Sequence, residues 1–109
     1  EFVALTSTNH AKLYGLYPQK GSIAPGFDAD IVLWDPNRKE TIRQELMHHG
    51  ADYTPYEGMA VTGWPSLTML RGKIVAEDGK VIGEKHDGRF LKRQLSPYAI
   101  PIGKPAWDH

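Results

Sequence analysis

The chain has 109 residues, a formal net charge of zero and no cysteine, and 40% of its residues are hydrophobic. This length suits one modest domain, and a neutral chain lacks the broad positive field that draws proteins to nucleic acids or anionic membranes. Disulfides and thiolate chemistry are excluded, and no apolar run approaches the roughly 20 residues of a membrane-spanning helix. We therefore expect a soluble, cytoplasmic protein.

The N-terminal residues predict helix and then a turn. Residues 2–5 have the pattern of a helix end, and the chain starts at Glu1 within that pattern, as a piece cut from a longer protein would. Helix-capping residue types follow and favour a new helix N-terminus at Ser7, Thr8 or Asn9. We predict a short helix over residues 9–14, with Gly15 as its left-handed C-terminal cap.

The clearest strand signal lies in residues 21–35. A stretch rich in glycine and proline precedes four consecutive apolar residues, 31–34. A strand that is apolar on both faces is typical of burial between two layers. Asp35-Pro36-Asn37 predicts the end of this strand, because proline cannot donate a hydrogen bond to the ladder.

Further strands and a long loop are predicted in the middle of the chain. Residues 38–42 favour a more exposed strand, and residues 44–58 lack any regular period and predict a loop. Candidate strands then follow at residues 60–63, 66–70, 73–77 and 80–83. Asp78-Gly79 is typical of a type I′ hairpin turn, so the last three strands predict a meander. We expect the strand at 31–34 to supply the layer that covers it.

Residues 86–109 predict an extended tail, because regular structure is incompatible with Pro97, Pro101 and Pro105. The tail is also too apolar to be fully solvated, since it contains Tyr98, Ile100, Ile102 and Trp107. We expect it to pack on its own domain or on a neighbouring subunit.

Metal-ligand residue types cluster in the loop, at His48, His49, Asp52 and Glu57. Zinc requires such side chains to converge on one point, whereas neighbouring histidines in extended backbone point to opposite faces. Surface or packing histidines are therefore the preferred interpretation. Three aspartates flank the strand at 31–34, namely Asp28, Asp30 and Asp35. At such positions aspartate usually accepts backbone hydrogen bonds.

The remaining candidates are isolated. No nucleophile motif accompanies His10, His86, His109, Ser7, Ser22, Ser66 or Ser96. A small basic group predicts a solvated face rather than an anion site, at Arg89, Lys92 and Arg93. From the residues alone, we expect a mainly β domain with no catalytic, cofactor-binding or metal-ligating residue.

Several motifs resemble the C-terminal region of the amidohydrolase superfamily. They are Thr6-Ser7-Thr8-Asn9, Gly15-Leu16-Tyr17-Pro18, Asp28-Ala29-Asp30-Ile31-Val32 and Trp34-Asp35-Pro36. Others resemble its D-hydantoinase and dihydropyrimidinase branch, namely Tyr56-Glu57-Gly58-Met59, Arg71-Gly72-Lys73-Ile74-Val75 and Gly88-Arg89-Phe90. His10 departs from the family pattern, in which proline or another small residue commonly follows the asparagine.

The resemblance implies an intact enzyme with a (β/α)8 barrel and two zinc ions bridged by a carboxylated lysine. Such an enzyme hydrolyses the ring amide of hydantoins or dihydropyrimidines. A barrel takes about 250 residues, and the resemblance implies that every metal ligand lies outside this chain. Residues 1–18 would then be the remnant of the last barrel helix. Residues 19–85 would be half of a composite β-sandwich, and residues 86–109 a subunit-contacting tail.

The expected partners are the missing N-terminal part of the same protein, a small cyclic amide substrate and further copies in a homo-oligomer. We expect the chain to be inactive by itself. The motifs leave three alternatives open: a non-catalytic dihydropyrimidinase-like scaffold, another ring hydrolase such as an allantoinase or dihydroorotase, and a free-standing β module.

Overall fold

A computed structural model describes residues 1–100, 102 and 103. These residues are mainly β, with one short α-helix and a single antiparallel sheet of four strands. The fold class predicted from the sequence is confirmed at this level. The described residues divide into two compact units, the first from residues 1–29 together with 88–100, 102 and 103, and the second from residues 30–87. The predicted boundaries at residues 18/19 and 85/86 refer to a longer protein and stay a prediction.

The first unit begins with a continuous helical stretch. A π-helical segment, Ala4–Thr8, leads directly into helix α1, Asn9–Leu13. The short helix predicted over residues 9–14 is confirmed by α1, whereas the predicted N-terminal cap is wrong. Thr8 is itself helical, with no capping hydrogen bond from its side chain. Its hydroxyl donates instead to the main-chain oxygen of Gly21. The Thr8 hydroxyl, which local sequence predicts to cap the helix, thus makes a tertiary hydrogen bond instead.

The C-terminus of α1 matches its prediction. Gly15 adopts a left-handed φ of 73°, which costs glycine little because it has no Cβ. The amide of Leu16 donates to the carbonyl of Ala11 at 2.8 Å, and the amide of Gly15 donates to that of Lys12 at 3.4 Å. This pair of bonds defines a Schellman cap, so the predicted glycine cap is confirmed.

Part of the tail packs along the same helix. The amide of Gln94 donates to the carbonyl of Gly15 at 2.9 Å, and the hydroxyl of Ser96 donates to that of Lys12 at 2.7 Å. A short 3-10 turn, Pro97–Ala99, follows. The expected packing of the tail on its own domain is therefore observed for these residues. Pro101, Pro105, Trp107 and His109 lie outside the described residues.

The sheet forms the second unit, in the order β1-β2-β3-β4. Strand β1 is Ile31–Thr41, β2 is Ala60–Leu70, β3 is Lys73–Glu77 and β4 is Lys80–Val81. A short 3-10 turn, Gln44–Leu46, interrupts the otherwise irregular loop that joins β1 to β2. The predicted loop and the predicted meander of the last three strands are both confirmed.

Strand β1 does not end at Asp35-Pro36-Asn37, so that prediction is wrong. Asp35 pairs with Trp64 and Lys39 with Thr62, which leaves three residues of β1 opposite a single residue of β2. Proline is tolerated at such a bulge because no ladder hydrogen bond is required of it there. The amide of Asn37 donates to Oδ1 of Asp35 at 2.9 Å, which closes the bulge locally.

Strand β2 is likewise continuous through two predicted strands, 60–63 and 66–70. Its register with β1 shifts once more, because Leu33 pairs with Leu67 whereas Trp34 pairs with Pro65. The extra residue, Ser66, donates its hydroxyl to the carbonyl of Leu33 at 3.2 Å. The bulge thus absorbs a proline that would interrupt a regular ladder.

Tight turns join the last three strands. Arg71 and Gly72 have φ of 46° and 83°, and Asp78 and Gly79 have φ of 47° and 79°. Positive φ at both central residues is the signature of a type I′ turn, so the predicted Asp-Gly turn is confirmed. Strand β4 is shorter than the predicted 80–83.

Strand β1 does not form the covering layer that the sequence predicts. Strand β1 pairs edge to edge with β2 in the same sheet, so it cannot cover that sheet. Its residues are also half exposed rather than buried, at 44% for Val32, 52% for Leu33 and 51% for Trp34. Within the described part of the chain, Ala11 is the sole buried hydrophobic residue.

We predict that Gly15→Ala loosens the first unit more than Gly72→Ala loosens the second. Both substitutions place a side chain at positive φ, at a cost of about 1–2 kcal/mol. A Cβ at Gly15 would also fall on the main chain of Gln94, whereas a Cβ at Gly72 meets no atom within 4 Å. Hydrogen exchange measures the difference, with the Gln94 amide as reporter for Gly15→Ala and the amides of β3 for Gly72→Ala. Equal effects would contradict this prediction.

Candidate functional site

The loop between β1 and β2 carries the candidate metal ligands, but it uses two of them for other contacts. Oε2 of Glu57 accepts a hydrogen bond from the amide of Gln44 at 2.7 Å. Nε2 of His48 lies 3.1 Å from the carbonyl oxygen of Gly79. Both residues therefore hold the loop in place, while His49 and Asp52 are exposed.

The three candidate aspartates also contact neighbouring groups of the chain. Asp28 accepts from Nε2 of Gln19 at 3.0 Å and pairs with Nζ of Lys20 at 2.8 Å. Asp30 accepts from the amide of Arg71 at 2.9 Å, which ties the start of β1 to the β2–β3 turn. Asp35 closes the bulge of β1. In each case the carboxylate stabilises a turn or a strand end.

The isolated histidines and serines are placed singly. The ring of His10 stacks on that of Tyr14, with centroids 6.3 Å apart. Ser66 and Ser96 donate to main-chain carbonyls, as described above, and Ser96 is only 3% exposed. Ser7, Ser22 and His86 are exposed, and His109 lies outside the described residues. The basic residues Arg89, Lys92 and Arg93 are exposed as well.

A polar cluster that the sequence did not suggest lies at the end of β4. Asp87 accepts from Nζ of Lys73 at 3.0 Å and from the amide of Glu84 at 2.7 Å. The main-chain oxygen of Asp87 also accepts from the guanidinium of Arg71. These contacts join the segment after β4 to the β2–β3 turn. No local spacing signals the contacts of Asp87 with Arg71 and Lys73, because these residues are 16 and 14 positions away from it.

The cluster shifts two pKa values in opposite directions. The amide of Glu84, followed by the Lys73 ammonium, lowers the pKa of Asp87 below its usual 3.8. The hydrogen bond to Asp87 raises the pKa of Lys73 above its usual 10.5. Both groups are solvent-accessible, so the ion pair is of the kind that contributes little to stability. Its role is to position the segment after β4.

Two concave surfaces lie on the second unit. The larger groove, of about 610 Å³, is lined by β1, β2 and the short 3-10 turn. Its charged side chains carry both signs, at Lys39, Glu40, Arg43 and Glu45. The smaller groove, of about 180 Å³, lies beside His48, Trp64 and Asp78. The lining of the larger groove includes no histidine, and that of the smaller groove includes no serine, threonine or cysteine.

The residues that the structure describes do not fit a metal centre. No group of three or more histidine, cysteine, aspartate or glutamate side chains in residues 1–100, 102 and 103 could hold a metal ion. The candidate ligands of the loop are therefore not assembled into a site.

In the part of the chain that the structure describes, no helix is long and apolar enough to cross a membrane.

Comparison with known proteins identifies the family of this chain. The model of the amidohydrolase family matches residues 1–75. The chain belongs to the amidohydrolase family. It is 51% identical over 94 residues to a D-hydantoinase of Ralstonia pickettii, which covers 86% of this chain and 21% of that protein. It is also 46% identical over 103 residues to a dihydropyrimidinase of Rattus norvegicus, which covers 94% of this chain and 20% of that protein.

Solved structures of this amidohydrolase group contain the same fold. The chain matches a D-hydantoinase structure with a TM-score of 0.83 at 52% identity, over 85% of this chain and 20% of the other. It matches the dihydropyrimidinase of Brevibacillus agri NCHU1002 with the same TM-score at 47% identity, over 92% and 21%. The chain thus spans about a fifth of the length of the relatives that it matches.

We predict that Asp87→Asn removes the pH dependence of the segment after β4. Because the pKa of Asp87 is lowered, its contribution is fully present above pH 3.8 and is lost as the pH falls through the lowered value. The contribution of Lys73 is fully present below pH 10.5 and is lost as the pH rises through its raised value. The amide proton shift at position 84 should therefore show a transition below pH 3.8 in the parent chain, and this transition should be absent in Asp87→Asn.

Glu84→Gln is the matched control for this substitution. The Glu84 carboxylate lies 3.8 Å from Nζ of Lys73 and does not accept the amide hydrogen bond, so the titration should persist in this variant. An amide shift that titrates at or above the usual carboxyl range in the parent chain would contradict the assignment.

Proposed function

We propose that this chain is the C-terminal part of a zinc-dependent cyclic amidohydrolase. The intact protein would hydrolyse the ring amide of dihydropyrimidines or hydantoins. The observation that carries this proposal is identity of 51% to a D-hydantoinase and 46% to a dihydropyrimidinase over nearly the whole chain. Identity at this level, combined with coverage of about a fifth of each relative, supports one shared segment of a longer enzyme.

The proposed chemistry belongs to the rest of the intact protein. We propose that the zinc ions and their bridging carboxylated lysine belong to sequence outside this chain. The described residues, which offer no group that fits a metal ion, are consistent with this proposal. The substrate-binding and catalytic residues are assigned there too. This chain would supply structure, through the sheet, the helical stretch and the tail.

The half-exposed apolar residues of β1 support a composite β-sandwich. Val32, Leu33 and Trp34 are consecutive apolar residues of which about half the surface is solvated. Side chains of this kind are normally covered by a second layer. We propose that strands from the N-terminal part of the intact protein provide that layer, with residues 1–18 forming the end of the barrel.

The tail supports a contact between subunits. Phe90, Leu95, Tyr98 and Ile102 are apolar and strongly exposed, and an apolar surface of this kind marks an interaction site more often than a solvated one. We propose that residues 86–109 contact another copy in a homo-oligomer. We also propose a cytoplasmic location for the intact enzyme.

We predict that ring hydrolysis requires the intact protein. The 109-residue chain should neither open dihydrouracil or hydantoin nor bind zinc stoichiometrically, whereas the intact protein should do both. Ring opening is followed by loss of substrate absorbance and zinc by elemental analysis. The double variant His48→Gln, His49→Gln in the intact protein should keep its full zinc content. Zinc binding or hydrolysis by the isolated chain would overturn the proposal, and an intact protein without either property would favour a scaffold.

We predict that Leu33→Ala destabilises the intact protein by about 2–5 kcal/mol, the usual cost of emptying a buried leucine site. In the isolated chain the cost should be much smaller, because Leu33 is already half exposed. Urea unfolding measures both values. Leu33→Met is the control, since a swap that conserves volume costs less than about 1.5 kcal/mol in a packed site. Equal effects of Leu33→Ala in the two proteins would argue against the composite sandwich.

A further inference from the structure

The sequence contains two Asp-Gly dipeptides, Asp78-Gly79 and Asp87-Gly88. In such a pair the main-chain nitrogen of the glycine can attack Cγ of the aspartate, because glycine has no side chain to hinder the approach. A bond between nitrogen and Cγ forms, one water molecule leaves, and a five-membered succinimide results. Water then reopens the ring at either carbonyl. One product is aspartate, and the other is isoaspartate, in which the main chain runs through the former side chain.

Neither glycine is crowded. A Cβ placed on Gly79 or on Gly88 would meet no atom within 4 Å, so no neighbouring group hinders either α-carbon. The surroundings of the two aspartate carboxylates, in contrast, differ clearly.

The carboxylate of Asp87 is held away from this reaction. It accepts hydrogen bonds from the amide of Glu84 at 2.7 Å and from Nζ of Lys73 at 3.0 Å, and its side chain is only 21% exposed. These donors favour the ionised form and lower its pKa. Loss of water requires the protonated acid, because a neutral carboxyl group releases its oxygen far more readily than a carboxylate does.

The carboxylate of Asp78 is much freer. Its side chain is 71% exposed, and its contact with the guanidinium of Arg38 is 3.5 Å long, beyond the usual hydrogen-bond range. Asp78 also adopts a φ of 47°, a left-handed conformation that is unfavourable for residues with a side chain.

We propose that Asp78-Gly79 is a site of spontaneous isoaspartate formation in this chain, and that the conversion opens the β3–β4 hairpin. Strand β4 contains only Lys80–Val81, and it pairs with β3 through the two-residue turn that Asp78 and Gly79 form. A two-residue turn fixes the register of its hairpin. Lengthening its main chain by one carbon therefore removes the geometry on which the pairing of β4 depends.

The experiment compares the two dipeptides in folded and unfolded protein. The intact protein is aged near neutral pH, and a second sample is aged in urea. Isoaspartate is then quantified at both sites with an isoaspartyl carboxyl methyltransferase and by electron-transfer fragmentation of the peptides. We expect the ratio of isoaspartate at Asp78 to that at Asp87 to be severalfold higher in the folded sample than in urea. A ratio equal to or below the urea value would overturn the proposal.

Two variants test the cause. Asp78→Glu keeps the charge beside Arg38 but requires a slower six-membered ring, so it should abolish the signal at position 78 and leave Asp87 unchanged. Lys73→Gln removes the ammonium donor but keeps the Glu84 amide bond to Asp87, so it should raise the isoaspartate at Asp87 part of the way toward the level in urea. Isoaspartate at Asp87 that is unaffected by Lys73→Gln would contradict the proposed protection.

Hydrogen exchange tests the effect on the hairpin. The amide of Ile82 donates to the carbonyl of Val75 at 2.9 Å, next to the end of β4. It should exchange severalfold faster in the isoaspartyl fraction than in the unmodified protein, while the amides that join β1 to β2 keep their protection. Unchanged exchange at Ile82 would overturn the opening of the hairpin.

Discussion

A single sheet cannot bury its own apolar side chains, because they alternate between two faces and each face needs a second layer. The rest of this structure depends on that constraint. Strand β1 exposes about half of three consecutive apolar residues, and the described part of the chain buries Ala11 as its sole hydrophobic residue. The chain matches about a fifth of the length of each longer relative.

The sheet keeps its pairing despite two prolines within its strands. Pro36 lies in the bulge of β1, where Asp35 caps the amide of Asn37. Pro65 lies beside the extra residue Ser66, whose hydroxyl bonds across to β1. In both places a neighbouring side chain satisfies the backbone that the irregular ladder leaves open. The main chain of Ser66 also accepts the amide of Asp78 at 2.9 Å, which joins this bulge to the β3–β4 turn.

Several carboxylates of the kind that could act in catalysis instead bind main-chain amides of this chain. Glu57 holds the loop, Asp30 ties β1 to the β2–β3 turn, and Asp87 fixes the segment after β4. Each carboxylate accepts at least one main-chain amide. A segment with little core of its own therefore uses charged side chains to define its turns.

Local sequence determined the features that depend on neighbouring residues alone. The glycine cap at Gly15, the Asp78-Gly79 turn and the mainly β class follow from conformational preferences within a few residues. The motifs also carried the family resemblance. Local sequence failed where a distant partner decides the outcome. Proline at position 36 predicts a strand end, but pairing with β2 continues across a bulge of β1 that contains it. Thr8 predicts a helix cap, but its hydroxyl donates to the main-chain oxygen of Gly21.

Only the tertiary structure placed β1 beside β2 in one sheet. An apolar strand has the same pattern whether it covers a sheet or extends it, because both arrangements bury alternating side chains. The pairing of Lys73 with Asp87 was equally invisible, since turns and strands bring residues 14 positions apart into contact. Sequence thus determined the local conformations and the family. The fold decided which polar groups meet and which apolar face is left for another layer to cover.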